Sequence, residues 1–218
     1  MAENKLLGRV GIVGRFKPLH LGACVMLEAA CDQAQEVIIG IGSAGSEYKY
    51  NLRNPFTPSE VKEMINLVLA PKYSNYKIIE VPDFAHQDGC ADGQRWVEEV
   101  IRLYGKLDHF ISGNEWTNKL LQSHYYIIHP VSIITEDKRV YCKGSIVRMA
   151  LARNEDWQSL VRPEVAAYMI SNGLDARFKR EFGLETIATL ENKVDFEAPE
   201  TLEAEAAHAR EIVKVIYK

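Results

Sequence analysis

Short apolar runs alternate with segments of helical periodicity over the first two-thirds of the chain. The runs are rich in β-branched residues, which is typical of strands buried on both faces of a sheet. Five strands are predicted, at residues 9–13, 36–43, 76–83, 108–114 and 125–130. The segments between them repeat apolar side chains every three or four positions. Four helices are therefore predicted, at residues 21–34, 57–70, 94–105 and 115–122.

This alternation of strand and helix predicts an α/β fold with a mostly parallel sheet and helices on both faces. Right-handed crossovers make such a sheet doubly wound, so we expect a Rossmann-like sheet of about five strands. Ligands bind beyond the carboxyl ends of the strands, where the strand order reverses. The first strand usually flanks that point. The stretch VGIVGRFKPLHLGAC, at residues 10–24, is therefore the first candidate for a site.

Local signals support several helix boundaries. Thr57 is a plausible N-cap, with Pro58 at the first helical position and Glu60 completing a capping box. After residue 130 the pattern indicates two or three helices, and Ser145 is a candidate N-cap for the first of them. We predict one domain over residues 1–173 and a mainly helical C-terminal extension over residues 174–218, which includes a final helix within residues 196–218.

Composition narrows the function classes. The net charge is −4 and the pI is about 5.9, so no general basic surface suggests nucleic acid or a membrane as partner. The first residues lack the apolar region of a signal peptide, and no apolar run approaches the ~18 residues of a membrane span. We therefore expect a cytoplasmic protein. Its four cysteines form no CxxC pair and are expected to be buried apolar thiols.

Three cationic or potentially cationic side chains follow the first strand. Arg15, Lys17 and His20 precede a helix, whose first N–H groups and dipole attract anions. Gly14 and Gly22 would permit close approach of the backbone to a phosphate. The stretch is neither a Walker A loop nor a GxGxxG fingerprint. The alternative is a solvated basic turn with His20 satisfied in the core, and the local chemistry leaves both interpretations open.

A second candidate for anion binding lies in KGSIVR, at residues 143–148. Ser145 and Arg148 are three positions apart and share one face of a helix. A hydroxyl, free amides and a guanidinium group would together suit a phosphate. The alternative is an ordinary helix cap with a surface arginine. If this helix lies over the carboxyl edge of the sheet, the two segments would hold a polyphosphate between them.

Five motifs in order resemble those of the HxGH nucleotidyltransferase superfamily, in particular the archaeal-type nicotinamide mononucleotide adenylyltransferases. The stretch GRFKPLHLG resembles the G-R-F-x-P-x-H-x-G-H signature. The others are IIGIGSA with NPFTPSE, VPD with RWV, SGN, and KGSIVR. The resemblance runs from about residue 9 to about residue 169. It makes residues 1–173 a nucleotidyltransferase domain and does not extend to the segment after residue 173.

The resemblance implies adenylyl transfer from ATP to nicotinamide mononucleotide or nicotinate mononucleotide, with release of pyrophosphate. His20 would contact the phosphate at the reacting centre, and Ser145 and Arg148 would hold the β and γ phosphates. Three neighbouring residues would bind the ATP phosphates: Gly14, Arg15 and Phe16. Mg²⁺ would bridge phosphate oxygens with few direct protein ligands. The family commonly forms homo-oligomers that act on small nucleotides.

The same resemblance implies which residues would bind the mononucleotide. Trp96 would stack on the nicotinamide ring, with Asp83 and Ser43 nearby, and Asn114 would lie near the adenine. Without the resemblance, the pattern around Trp96 indicates a helix residue that packs against the sheet. An aromatic side chain at this position favours a flat acceptor over a flexible one.

Two positions depart from the family pattern. Ala23 stands where the family has the second histidine, and Val61 stands where it often has arginine. Both changes remove donors from the polyphosphate site and could weaken the activity. Lys17 stands where glutamine is usual, and its charge could compensate. The alternatives are a non-catalytic nucleotide-binding homologue and a nucleotidyltransferase with another phosphate acceptor.

Overall fold

Five parallel strands form one sheet in this computed structural model, which describes residues 7–84 and 93–196. The strands are β1 (Leu7–Gly14), β2 (Ala34–Gly42), β3 (Tyr76–Val81), β4 (His109–Ile111) and β5 (Ile127–Ile128). Their order in the sheet is β3-β2-β1-β4-β5. Adjacent strands pair in parallel register, as in Val10 with Val37 and Ile12 with Ile111. The prediction of a parallel Rossmann-like sheet is confirmed.

Seven α-helices accompany the sheet in the described ranges. They are α1 (Leu21–Gln33), α2 (Pro58–Leu69), α3 (Gln94–Tyr104), α4 (Glu115–Leu121), α5 (Gly144–Arg153), α6 (Pro163–Ser171) and α7 (Leu174–Phe196). The capping box of α2 forms as predicted, because Thr57 and Glu60 each accept a backbone N–H from the other. None of these helices combines the length and the apolar character that a membrane span needs.

The strand order reverses beside β1. The chain runs from β1 outward to β3, and then returns through α3 to place β4 on the other side of β1. Helices α1 and α2 contribute to a core on one face, together with α5, α6 and α7, and helices α3 and α4 contribute to a second core on the other face. A crevice therefore forms beyond the carboxyl ends of β1 and β4, as expected of a doubly wound sheet.

Several predicted boundaries are corrected. Strands β3, β4 and β5 are shorter than predicted, because loops and helix caps begin directly after them. Asn114, predicted at the end of a strand, is instead the N-cap of α4 and accepts from the N–H of Thr117 at 2.9 Å. The prediction that Ser145 caps a helix is wrong. Lys143 occupies the cap position, and Ser145 lies within the first turn of α5.

The described part of the C-terminal extension packs against the rest of the chain. Leu174, Phe178 and Phe182 of α7 belong to the same core as α1 and α2. Phe178 stacks on Phe56 with 5.9 Å between ring centroids. The division of the chain at residue 173 stays a prediction. The final helix predicted within residues 196–218 lies outside the described residues.

Candidate active site

Two adjoining cavities open along the carboxyl edge of the sheet. The larger cavity, of about 600 Å³, lies beyond β1, β2 and β4, and its lining includes Gly14, Asp83 and Trp96. The smaller cavity, of about 540 Å³, lies beside the start of α5. Arg15 and Arg53 line both cavities, so the two are joined by guanidinium groups. Eight of the twelve predicted site residues thus line these cavities at the reversal of strand order, whereas Phe16, Lys17, His20 and Gly22 line neither.

The turn after β1 brings backbone to the larger cavity. Phe16 has a φ of 52°, a conformation that is uncommon for residues other than glycine. Its ring lies against Gly14, where an added Cβ would stand 2.7 Å from a ring carbon. Ser43, at the end of β2, has a similar φ of 51°. Such conformations cluster at functional sites, where the surrounding packing maintains them.

His20 presents a neutral ring. It is the N-cap of α1, and its Nδ1 accepts from the N–H of Ala23 at 3.2 Å. Because Nδ1 is an acceptor, the proton of the neutral imidazole lies on Nε2, which makes that atom a donor. Burial, together with the charge of Arg148, lowers the pKa of His20 to about 4. Near neutral pH the side chain is therefore an uncharged hydrogen-bond donor.

The start of α5 meets the turn after β1. Arg148 Nη1 donates to the carbonyl of Lys17 at 2.7 Å. An added Cβ on Gly144 would stand 3.3 Å from both of these groups, so the contact is close. The side chain of Lys143 does not cap the helix. The first N–H groups of α5 are therefore not satisfied by a side chain at the cap, and Ser145 and Arg148 line the smaller cavity beside them.

The electrostatics of the site favour an anion. Desolvation, followed by repulsion from Arg53, lowers the pKa of Arg15. Burial and the charge of Arg15 lower the pKa of Arg148 to about 10. Among the described residues that line the larger cavity, Asp83 supplies the carboxylate, and it pairs with Arg53 at 3.1 Å. Both shifts arise first from burial and then from a neighbouring arginine, and a bound polyphosphate would supply the opposite charge that stabilises these cations.

The position of the Lys17 side chain differs from the sequence-based expectation that its charge lies in the polyphosphate site. Its side chain is 2% exposed and lines neither cavity. Its ammonium group donates to the carbonyls of Gly42 and Ser43, at 3.2 and 2.9 Å, and to Oδ1 of Asn54 at 3.0 Å. Three acceptors use the three donors of a lysine ammonium. Lys17 therefore links the end of β2 to the following loop.

The structure explains the glycine at position 22 by packing, whereas the sequence suggested close approach to a phosphate. An added Cβ at Gly22 would stand 2.7 Å from the carbonyl oxygen of Cys142, so glycine permits α1 to pack on the segment before α5. Gly22 lines neither cavity. Ser43 and Asp83 both line the larger cavity, and they bond to each other with 2.7 Å between the hydroxyl and the carboxylate.

An aromatic wall closes the far end of the larger cavity. Trp96 is 9% exposed and packs in the second core, yet it also lines the cavity. Trp116 stands beside it with 5.2 Å between ring centroids and is half-exposed. Asn114 lines the same cavity, and its capping bond uses Oδ1, which leaves the amide group as a donor.

Sequence reasoning missed Trp116 and Arg53. Trp116 follows the SGN motif directly, and Arg53 lies in the Gly-, Tyr- and Asn-rich loop after β2. Two signals pointed to them: Trp116 is an aromatic residue beside a motif, and Arg53 is a lone arginine in a loop. It also missed Thr186 and Thr189 of α7, which line the smaller cavity and belong to no motif.

Known proteins resemble this chain in sequence. Residues 12–162 match the family model described as cytidylyltransferase-like. The nicotinamide-nucleotide adenylyltransferase of Pyrococcus furiosus is 32% identical over 72% of this chain and 80% of its own length. The enzyme of the same name from Aeropyrum pernix is 30% identical over 79% of this chain and 96% of its own length.

Solved structures show the same fold. Two crystal structures of a bifunctional NMN adenylyltransferase/ADP ribose pyrophosphatase from Francisella tularensis match with TM-scores of 0.62 and 0.65, at 17% identity. The first is a complex with AMP and a Mn ion. The matches cover 88% of this chain and 57% of those chains. The chain belongs to the cytidylyltransferase-like family and, within it, to the nicotinamide-nucleotide adenylyltransferases.

Proposed function

We propose that this protein transfers the adenylyl group of ATP to the phosphate of nicotinamide mononucleotide, forming NAD and pyrophosphate. Nicotinate mononucleotide would be accepted in the same way. The observation that carries the proposal is the convergence of three arginines, Arg15, Arg53 and Arg148, along two joined cavities at the reversal of strand order. A site of this charge suits a triphosphate, and its aromatic end suits a flat base.

The reaction needs no nucleophile from the protein. A phosphate oxygen of the mononucleotide attacks the α-phosphorus of ATP, and the bond from that phosphorus to the β-phosphate oxygen breaks. The electron pair leaves with pyrophosphate. Catalysis then consists of positioning the two nucleotides and stabilising the charge on the phosphates.

Each residue has a proposed part in this step. The backbone of residues 14–16 and Arg15 bind the phosphates at the junction of the cavities, and His20, the N-cap of α1, would donate to the phosphate at the reacting centre from Nε2. Ser145, Arg148 and the start of α5 hold the β and γ phosphates in the smaller cavity. The short distance from Arg148 to the carbonyl of Lys17 supports this arrangement, because it joins the two phosphate-binding segments.

The mononucleotide is assigned to the larger cavity. Its nicotinamide ring would lie against Trp96 and Trp116, with Asp83 and Ser43 at the edge and Asn114 directed to the adenine of ATP. The mutual hydrogen bond of Ser43 and Asp83 supports a rigid edge that receives polar groups. Lys17 acts as a positioning residue, since it holds the end of β2 beside Ser43.

In this proposal magnesium arrives bound to the substrate. ATP would enter as its Mg²⁺ complex, and the ion lowers the charge repulsion between phosphate groups. Across residues 7–84 and 93–196, no three side chains of histidine, cysteine, aspartate or glutamate form a group able to hold a metal. The donors of the smaller cavity are cations and hydroxyls, which suit phosphate oxygens.

The expected setting follows from the substrates. ATP and a free mononucleotide are small cytoplasmic molecules, so we place the protein in the cytoplasm, without nucleic acid as partner. Assembly into a homo-oligomer stays a prediction from the family resemblance.

The test is a direct assay. The protein is incubated with ATP, Mg²⁺ and either mononucleotide, and the dinucleotide and pyrophosphate are measured. We expect equal amounts of both products, and a loss of about 10²–10³ in kcat/KM for Arg148→Ala. Arg153→Ala, which removes a charge from the exposed end of the same helix, is the control and should keep the activity. Turnover only with another phosphate acceptor, or with none, would overturn the proposal.

A further inference from the structure

The buried face of α7 changes from apolar side chains to a hydroxyl where it reaches the smaller cavity. Leu174, Phe178 and Phe182 follow one another at intervals of four residues and pack into the core. The next step of four residues brings Thr186, which is 3% exposed. An apolar side chain would continue this buried stripe. A hydroxyl at this position is therefore a departure that helix packing does not require.

The hydroxyl of Thr186 is buried and has no hydrogen-bond partner among the residues that the structure describes. Buried hydroxyls are normally hydrogen-bonded, so an orphan group needs an explanation. Thr186 lines the smaller cavity, and the exposed Thr189 lines it from the next turn of α7. An acceptor atom of a ligand in this cavity would supply the missing partner.

The remaining lining of the smaller cavity defines the chemistry of that ligand. Among the residues that the structure describes, it contains the guanidinium groups of Arg15, Arg53 and Arg148 and the hydroxyl of Ser145, and no carboxylate. Cationic and hydroxyl donors together fit an anion with several acceptor oxygens. A chain of phosphoryl groups has this character.

Helix α7 is held firmly beside the cavity. Arg177 forms two bonds to the carboxylate of Glu60, at 2.6 and 2.7 Å, and a third to the carbonyl of Pro55 at 3.2 Å. Helix α7 also packs along α5, whose residues Ser145 and Arg148 line the same cavity. The two threonines are thus fixed opposite the phosphate-binding helix.

We propose that α7 is the outer wall of the pocket for the two phosphoryl groups that leave as pyrophosphate. Thr186 donates a hydrogen bond to their oxygens, and Thr189 contacts them at the rim. This inference rests on the proposed adenylyl transfer for the identity of the phosphate chain. It assigns a binding role in the reaction to a helix beyond residue 173, where the motifs of the family do not reach.

The test measures binding apart from turnover. Calorimetric titration of the full chain with magnesium pyrophosphate, and separately with AMP, gives the affinity of each part of ATP. Thr186→Val keeps the shape of the side chain and removes the hydroxyl. We expect it to bind pyrophosphate about tenfold more weakly, because a hydrogen bond to a charged group is lost. AMP affinity should not change.

Matched variants complete the design. Thr186→Ser restores the hydroxyl and should restore pyrophosphate affinity, and Leu184→Ala, on the exposed face of the same helix, should bind as the unaltered protein does. If Thr186→Val does not fold, Thr186→Ala serves in its place. Pyrophosphate affinity within twofold of the unaltered protein in a folded variant would overturn the inference. Failure of the proposed function would appear differently, as absence of dinucleotide from the unaltered protein.

Discussion

The ammonium group of Lys17 is a cation enclosed among other cations. Desolvation lowers its pKa most, followed by the charge of Arg15, and Asp83 and Glu80 only partly oppose this, so that the pKa is about 7. The charge of Arg53 lowers it further. A polyanion in the adjoining cavities would reverse the balance, because an opposite charge nearby favours the charged form. Binding of ATP and protonation of Lys17 should therefore be coupled.

We predict that ATP binding at pH 8 takes up close to one proton. At this pH Lys17 is mostly neutral in the free protein, and the phosphate charges raise its pKa so that it gains a proton. His20, with a pKa of about 4, contributes little at pH 8. Titration calorimetry in buffers of different ionisation enthalpy measures the uptake. Lys17→Gln should remove most of it, and an enthalpy independent of buffer in the unaltered protein would contradict the assignment.

Trp116 offers a second test at the residue scale. It lines the larger cavity but is half-exposed, so its removal should cost little stability. We predict that Trp116→Ala weakens nicotinamide mononucleotide binding about tenfold, because stacking on a base is worth ~1–3 kcal/mol. Pyrophosphate affinity should stay the same. Both affinities are measured by fluorescence titration. Tyr126→Ala, which removes an exposed aromatic residue that lines neither cavity, serves as the control.

At the scale of elements, an ion pair fastens α7 to the start of α2. Glu60 is the capping-box residue of α2, and Arg177 binds both of its carboxylate oxygens. Burial would raise the pKa of Glu60, but hydrogen bonds from Arg177 and Thr57 outweigh it, and the pKa is lowered. A lowered carboxylate pKa stabilises the fold above the unfolded value of about 4.3. This contribution is lost as the pH falls through the folded value.

We predict that Arg177→Met lowers the free energy of unfolding by about 3 kcal/mol at pH 7, because it leaves a half-buried carboxylate unpaired. The difference from the unaltered protein should shrink as the pH falls through the lowered pKa of Glu60 and the carboxylate becomes protonated. Urea denaturation at several pH values measures it. Arg180→Met breaks an exposed pair with Glu181 on the same helix and should leave the free energy of unfolding almost unchanged. Equal losses in both variants would argue against the anchoring role.

At the scale of the whole molecule, α7 shares its core with the sheet and with α5, the helix proposed to bind phosphate. Phe178 is fully buried and stacks on Phe56, which immediately precedes Thr57, the N-cap of α2. One cooperative unit is expected when elements share a continuous core. The described part of the extension should therefore unfold together with the sheet.

We predict that Phe178→Ala destabilises the whole fold by about 3–5 kcal/mol, because it leaves a cavity in the core. Thermal unfolding followed by circular dichroism should show one transition at a lower temperature. Leu184→Ala, at a position that is 86% exposed, should shift the free energy by less than ~0.5 kcal/mol. A separate early transition that leaves the sheet intact would show that α7 is an independent unit.

The sheet and its helices were predictable because their signals are local. The alternation of β-branched runs and amphipathic segments predicts the five strands and the position of their reversal, and the capping box of α2 lies within four residues. Boundaries were less accurate where a cap begins at once, as at Asn114. The cap of α5 was misassigned because serine is a favoured cap residue, whereas Lys143 occupies the cap and Ser145 lies within the first turn.

Local pattern and motif order thus determined the fold class of this protein and the segments proposed to bind phosphate. Only the tertiary structure decided how the site is completed. It joined Arg148 to Lys17 across 131 positions and Arg177 to Glu60 across 117 positions. It also satisfied Lys17 internally and set Thr186 in the wall of the smaller cavity. These outcomes depend on which distant surfaces pack together, because burial and free donors arise from contacts between segments far apart in the chain.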